Sequence, residues 1–360
     1  MSGHAARTAI ADVVCLGESM VTFLPSQPGR LADVPAFGRG IGGAESNVAC
    51  ALAASGHRAK WVGRVGADGF GDHLVEAIAA YGVDTTAVRR DPDRPTGVYF
   101  RTATDRATDT HEVAYYRAGS AASAMSPQNV PYEDVLSGRV LHLSGITAAL
   151  SSDCLDLLND LTAPRDARPL VSFDVNHRPG LWRDGGAGPR VLLGLARRCD
   201  LVFVGEDEAE EAWGVMGAEA IRAALPEPGV LVVKRGADGV TVFARTDGGP
   251  EGGEPDAATG DTVTDVPSLR VDVVAAVGAG DAFAAGFLSA TLRGLPVRER
   301  ARHGHLMAAA VLTVPGDLTA PPPRAHADRL AALDDGAWGT LRLGPGWTAA
   351  DGANEEVRVT

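Results

Sequence analysis

The run VVAAVGAGDAFAAGFLSA, Val273 to Ala290, carries one ionisable side chain, Asp281, among small and apolar residues. Gly278 and Gly280, with Ala279 between them, permit a tight turn. The backbone N–H groups ahead of the apolar segment that follows point at one spot and would stabilise a developing negative charge. An acid at the opening of that helix is placed to accept a proton from a hydroxyl while the amides hold a transferring phosphoryl group. Read alone, these five residues favour a plainer role, because Asp is a preferred helix N-cap.

Other segments carry the same double reading. GRGIGG at 38 to 43 fits G-x-G-x-x-G, but LADVPAF before it is a poor buried strand and no acid closes a second strand about 20 residues on. Its glycines read instead as a close backbone approach to a small ligand at the start of the helix SNVACALAASG, with Gly43 and Asn47 at its opening. The P-loop pattern G-x-x-x-x-G-K-[ST] is absent. GEDEAEEAWG, with Glu208, is by itself an acidic helix start. Lys234, Gly236 and Gly239 in VKRGADG are by themselves a strand and a turn. Arg178 in NHRPGLW reads alone as a surface ion pair, and Tyr99 and Tyr115 as strand packing.

The elements that must position these residues alternate. VVCLG at 13, RVLHLSG at 139, PLVSFDV at 169, DLVFVG at 200 and GVLVVKRG at 229 are strand-sized and β-branched, and most are separated by amphipathic or alanine-rich segments. This pattern predicts an α/β fold with mainly parallel strands covered by helices on both faces and ligands at the strands' carboxyl ends. Residues 20 to 41 and 96 to 120 break the alternation and read as a small β-sheet lid, the second as a hairpin around a polar turn. Residues 247 to 262 read as a Gly/Pro/acid-rich insertion, and residues 1 to 11 and 324 to 360 as tails around a single domain over 12 to 323.

Composition bounds the rest. A chain of 360 residues with 45% hydrophobic content can bury a full core. A net charge of −13 and a pI near 5.1 argue against nucleic-acid and anionic-membrane partners, which favour a basic stripe. No run approaches transmembrane length, and four widely spaced cysteines with no secretory start fit buried thiols in a reducing cytoplasm.

Taken in order, GGAESNVACALAASG, WVGRVGADGFGDHL, DRPTGVYF, YYRAGSAAS, FDVNHRPGLW, GEDEAE, VKRGADG and VGAGDAFAAGF resemble the PfkB, or ribokinase-like, carbohydrate kinases, and among them the 2-keto-3-deoxygluconate kinases, over about residues 12 to 323. The resemblance implies a three-layer α/β/α fold with a β lid, and transfer of the γ-phosphoryl group of ATP to the terminal hydroxyl of a sugar acid. It makes Asp281 the catalytic base and Gly278, Ala279 and Gly280 the anion hole. Glu208 becomes the acid that organises Mg2+ through water, although Gly205 stands where much of the family has Asn. Lys234, Gly236 and Gly239 fall beside the nucleotide. Arg117 and Arg178 match acid-binding positions, with Gly43, Asn47, Tyr99, Tyr115 and Asp317 as further substrate ligands. Met20 and Thr22 replace the polar pair with which ribokinases hold ribose, which disfavours ribose. Another sugar such as fructose, or a catalytically weak sugar-acid sensor, are the alternative readings. Relatives often pair through the lid, which implies a homo-oligomer. Ala275 and Ala276 replace the Asp-Thr that commonly supports a monovalent cation, so no such cation is expected to be required, and the loop is expected to be ordered by packing of Val274 and Val277.

Overall fold

A computed structural model describes residues 11–27, 29–102, 112–182, 188–245, 260–349 and 357–358. The apolar runs form one eight-stranded sheet in the order Asp261–Val266, Val240–Arg245, Val230–Lys234, Leu201–Gly205, Leu170–Asp174, Gly138–Ser144, Ala11–Leu16, Ala59–Val62. Val240–Arg245 pairs antiparallel with both of its neighbours, and the remaining pairings are parallel. Successive side chains on a strand face opposite ways, so Val13 and Cys15 enter one core while Val14 and Leu16 enter the other. The first core is completed by the helices Ala44–Ala54, Ala279–Leu292 and Val297–Leu312, and the second by Ser152–Leu161, Gly188–Ala196 and Glu206–Trp213. Both faces of the inner strands are therefore dry, which is why those strands are mainly apolar, whereas the edge strand Asp261–Val266 alternates between more buried and exposed residues.

The breaks in alternation form a separate four-stranded sheet in the order Phe37–Gly42, Met20–Pro25, Val98–Arg101, Val113–Tyr116. Val98–Arg101 and Val113–Tyr116 pair antiparallel, as a hairpin would, while the turn between them lies outside the described residues. Phe23 stacks on Phe100 with ring centroids 4.6 Å apart, and Val21, Phe23, Ile41 and Val98 join the lid to the first core.

Three boundaries differ from the sequence reading. Ala11 is already the first, buried residue of a strand. Asp261 and Thr262 are not insertion but strand; Asp261 is fully buried and accepts from Arg222 at 2.7 and 2.8 Å. Residues 247 to 259 lie outside the described residues. The segment after Pro323 is not a tail, since helices Arg324–Ala331 and Asp335–Thr340 and the strand Leu341–Leu343 lie against the first core. Trp338, Leu341, Leu343 and Trp347 are buried there, and the Trp338 indole donates to the Pro267 carbonyl at 2.9 Å. Sparse large apolar residues anchor that segment without making a strong periodic pattern.

Candidate active site

The carboxyl ends of the main-sheet strands, the start of the helix Ala279–Leu292 and the lid enclose a cavity of about 340 Å³. Gly278 caps that helix in the left-handed region (φ +80), and a Cβ there would lie 2.6 Å from the Asp317 carbonyl oxygen. Glycine is thus required both by conformation and by contact. Asp281, third in the helix, accepts a hydrogen bond from the Asn47 amide at 2.8 Å. Asn47 comes from the helix Ala44–Ala54, whose N-cap Gly43 packs so closely on the Glu18 carbonyl that a Cβ would come within 2.4 Å. The end of the strand Phe37–Gly42 and the N-cap Gly43 therefore deliver the amide to the acid. Removal from water pushes the Asp281 carboxyl up to about 7; Asn47 and Lys234 pull against this, and Asp174 and Asp317 add to it. A carboxyl titrating near neutrality at a helix N-terminus can both accept and release a proton at physiological pH.

Lys234 ends the strand Val230–Lys234 and lies 3.1 and 3.2 Å from the two oxygens of Asp174, which ends Leu170–Asp174. Burial opposes the ammonium, but Asp174, Glu208 and Asp281 around it leave its pKa raised, so Lys234 stays charged. Glu208, third in the helix Glu206–Trp213, accepts from its own N-cap, the Gly205 N–H, at 2.9 Å, and lies 3.6 Å from Arg178. A side chain is not possible at position 205 without movement, since a Cβ would meet the Asp207 carboxylate at 2.4 Å. Among the described residues no group of three or more His, Cys, Asp and Glu converges as a metal cage.

The roof belongs to the lid. Tyr99, Tyr115, Arg117 and Arg101 line the cavity from its strands and their end. Arg117 is paired with the buried Glu18, which also accepts from Ser120 at 2.6 Å. Arg101 contacts Asp317 at 2.5 Å, and the Tyr99 hydroxyl donates to the same carboxylate at 3.3 Å. Arg178 lines the cavity with its side chain 54% exposed, its guanidinium donating to the His177 carbonyl at 2.9 Å.

Most of the residues singled out in the sequence thus face one space: Gly43, Asn47, Tyr99, Tyr115, Arg117, Arg178, Glu208, Lys234, Gly278, Ala279, Gly280, Asp281 and Asp317. Gly236 (φ +55) and Gly239 (φ +102) do not line it. They form the turn after Lys234, and a Cβ on Gly239 would stand 2.2 Å from the Val266 carbonyl oxygen. Glu18, Arg101 and Asp174 line the cavity and were not singled out, although Asp174 sits inside the motif FDVNHRPGLW. The expectation for the loop before Gly278 needs correction. Val274 is 39% exposed and packs little; the loop is held by the Val274 and Ala275 N–H groups, which donate to the Leu312 carbonyl at 2.7 and 3.3 Å.

An α/β sheet with a cavity at its strand ends, an amide-lined helix start bearing a carboxyl, and a polar lid define a ribokinase-like sugar kinase architecture. The profile of the pfkB family carbohydrate kinases matches residues 10–324. A 2-dehydro-3-deoxygluconokinase of Bacillus subtilis is 35% identical over 319 residues, covering 87% of this chain and 93% of that protein. A PfkB protein from Polaromonas sp. JS666 superposes with a TM-score of 0.72 at 33% identity, over 83% of this chain and 95% of that one. A fructokinase from Xylella fastidiosa, solved with bound ATP, shares the fold with a TM-score of 0.75 at 24% identity, over 89% and 98%. The chain belongs to the pfkB family of carbohydrate kinases.

Proposed function

We propose that the protein transfers the γ-phosphoryl group of ATP to the 6-hydroxyl of 2-keto-3-deoxygluconate. The observation that carries this reading is the placement of Asp281, at a glycine-bounded helix start, in a cavity whose roof holds Arg117, Tyr99 and Tyr115. The name borne by the Bacillus subtilis relative supports the sugar acid, and the ATP-bound neighbour supports the nucleotide.

In this reading Asp281 takes the proton of the 6-hydroxyl as its oxygen forms the new bond to phosphorus, and the bond from that phosphorus to the β-phosphate oxygen breaks, releasing ADP. The N–H groups from Gly278 to Asp281 hold the equatorial oxygens as charge spreads over them. Asn47 keeps the Asp281 carboxylate turned toward the hydroxyl. Lys234 lies toward the phosphates, and Gly236 and Gly239 shape the turn beside the nucleotide. Glu208 fits Mg2+, which keeps much of its water shell and needs only one or two carboxylates. When bound, that ion neutralises charge between the phosphates. Arg117 and Arg178 receive the sugar carboxylate; a guanidinium has five donors, so Arg117 can hold Glu18 and the substrate together. The exposed edge strand Val113–Tyr116 is where we place pairing with a second copy.

A neutral hexose is the second reading, favoured by the pairing of Arg117 with Glu18, which already neutralises its charge. Turnover of ATP with 2-keto-3-deoxygluconate, its galacto epimer, fructose and ribose separates the two. We expect kcat/KM for a 2-keto-3-deoxy sugar acid to exceed that for fructose by at least about tenfold, some 1.4 kcal/mol. A phosphorus signal split by two methylene protons in the product reports the 6-position. Equal or faster turnover of fructose overturns the sugar-acid assignment.

A further inference from the structure

We propose that Arg101, which has no part in the chemistry above, is the positioning residue that latches the lid to the anion hole through Asp317. Arg101 closes the lid strand Val98–Arg101, and Asp317 follows the helix Val297–Leu312 on the main domain. Both side chains are 6% exposed and both line the cavity, so the pair spans the gap between lid and body at the wall of the reacting space. The Asp317 carboxylate is held twice from the lid, by Arg101 at 2.5 Å and by the Tyr99 hydroxyl at 3.3 Å.

The main chain of the same residue touches the catalytic end. The positions a Cβ on Gly278 would take lie 2.6 Å from the Asp317 carbonyl oxygen and 3.0 Å from its Cα. Gly278 starts the helix that carries Asp281 three residues on, so a shift of Asp317 moves the amide donors. The end of the strand Phe37–Gly42 meets this junction too: a Cβ on Gly42 would stand 2.2 Å from the Tyr99 hydroxyl and 3.3 Å from the Asp317 carboxylate. Asp317 is therefore where two lid strands and the anion hole meet, and Arg101 is the cation that holds it.

A buried ion pair contributes little net stability, since desolvation offsets the attraction. A pair placed here instead ties lid position to anion-hole geometry. Closing the lid over a sugar then sets the amides for transfer, and without the sugar water is a poor acceptor.

The inference rests on the sugar-kinase reading, and its test uses whichever sugar the wild type phosphorylates. A wrong substrate then appears in the wild type, and a failed latch only in the variants. The measurement is ATP turnover with and without sugar for the wild type, Arg101→Met, Arg101→Lys, Asp317→Asn and the Met/Asn double variant, each checked for folding by its melting transition. We expect Arg101→Met to cut the sugar-dependent stimulation of ATP turnover at least about 30-fold, mainly through kcat, with KM for ATP held within about threefold. Arg101→Lys should recover part of the loss. The double variant should be no worse than the poorer single variant by more than about twofold, because the two residues act as one unit. Stimulation preserved within about twofold, or additive losses, overturns the latch. A loss confined to the KM of an acidic sugar also overturns it, and makes Arg101 a direct ligand of the substrate carboxylate. If Arg101→Met does not fold, Arg101→Lys and Asp317→Asn, which keep volume and polarity, carry the same comparison.

Discussion

The floor and the roof of the cavity are built on different principles. Asp174, Lys234 and Asp281 stand at the ends of strands and a helix that are locked between the two cores, and each has a partner within the body of the protein. The roof stands on a sheet that buries its cavity side unevenly: Tyr99 is 8% exposed, but Tyr115 is 53%. Its two arginines, Arg101 and Arg117, are each tied to an acid outside the lid sheet. A rigid floor suits a transition state that tolerates little misplacement. A roof held by a few ion pairs suits selection of a substrate that must enter and leave. The floor should accordingly govern kcat; in the roof Arg117 should govern which sugar is accepted, while Arg101, tied to Asp317 beside the anion hole, is the roof residue that should reach kcat.

The largest effect belongs to the floor. Asp281→Ala should lower kcat by at least about 100-fold with a much smaller change in sugar KM, as expected when a general base is lost. Steady-state kinetics checks it, and a variant keeping most of its kcat leaves Asp281 as a helix cap. Next comes the roof: Arg117→Ala should cost about 2 to 3 kcal/mol in kcat/KM for the sugar acid and less for a neutral sugar. Equal losses for both would merge roof and floor into one function, because removing Arg117 would then act only by orphaning Glu18.

A smaller effect is expected beside the floor, where Ala275 and Ala276 offer no side-chain oxygen to a hard cation. With Mg2+ saturating, replacing potassium by tetramethylammonium at constant ionic strength should change activity by less than about tenfold. A larger drop would mean that backbone carbonyls alone hold an ion. A separate effect concerns stability. Because folding raises the Asp281 pKa, the folded state binds that proton more tightly, so this group's contribution is lost as pH rises from its ordinary value of 3.8 through about 7. Asp281→Asn should therefore melt higher than the wild type at pH 8 and show little difference at the acid end.

The same contrast explains what the sequence disclosed. The floor was legible because its parts are local: apolar strands ending in Asp174 and Lys234, and glycines immediately before Asp281. The lid was legible as an interruption of the α/β rhythm. Its ion pairs were not, because Arg101 and Asp317 are 216 residues apart and no periodicity links them. Glu18 was hidden similarly, its partner Ser120 lying 102 residues away. The segment after Pro323 was misread because Trp338, Leu341, Leu343 and Trp347 are divided among a short helix, a three-residue strand and a turn, too short for a period, so only their burial against the first core reveals them as anchors.

In the proposed reaction the body of the protein poises Asp281 as a base near neutrality, and the pH dependence of kcat/KM for the wild type measures this. Asp281 must be ionised to accept the proton, so kcat/KM should be flat at alkaline pH and fall about tenfold per pH unit below an inflection near 7. Asn47→Leu, which removes the amide that favours the charged form, should move that inflection upward. A profile that stays flat down to about pH 5 would contradict the account, since a base with an ordinary carboxyl pKa needs no such site.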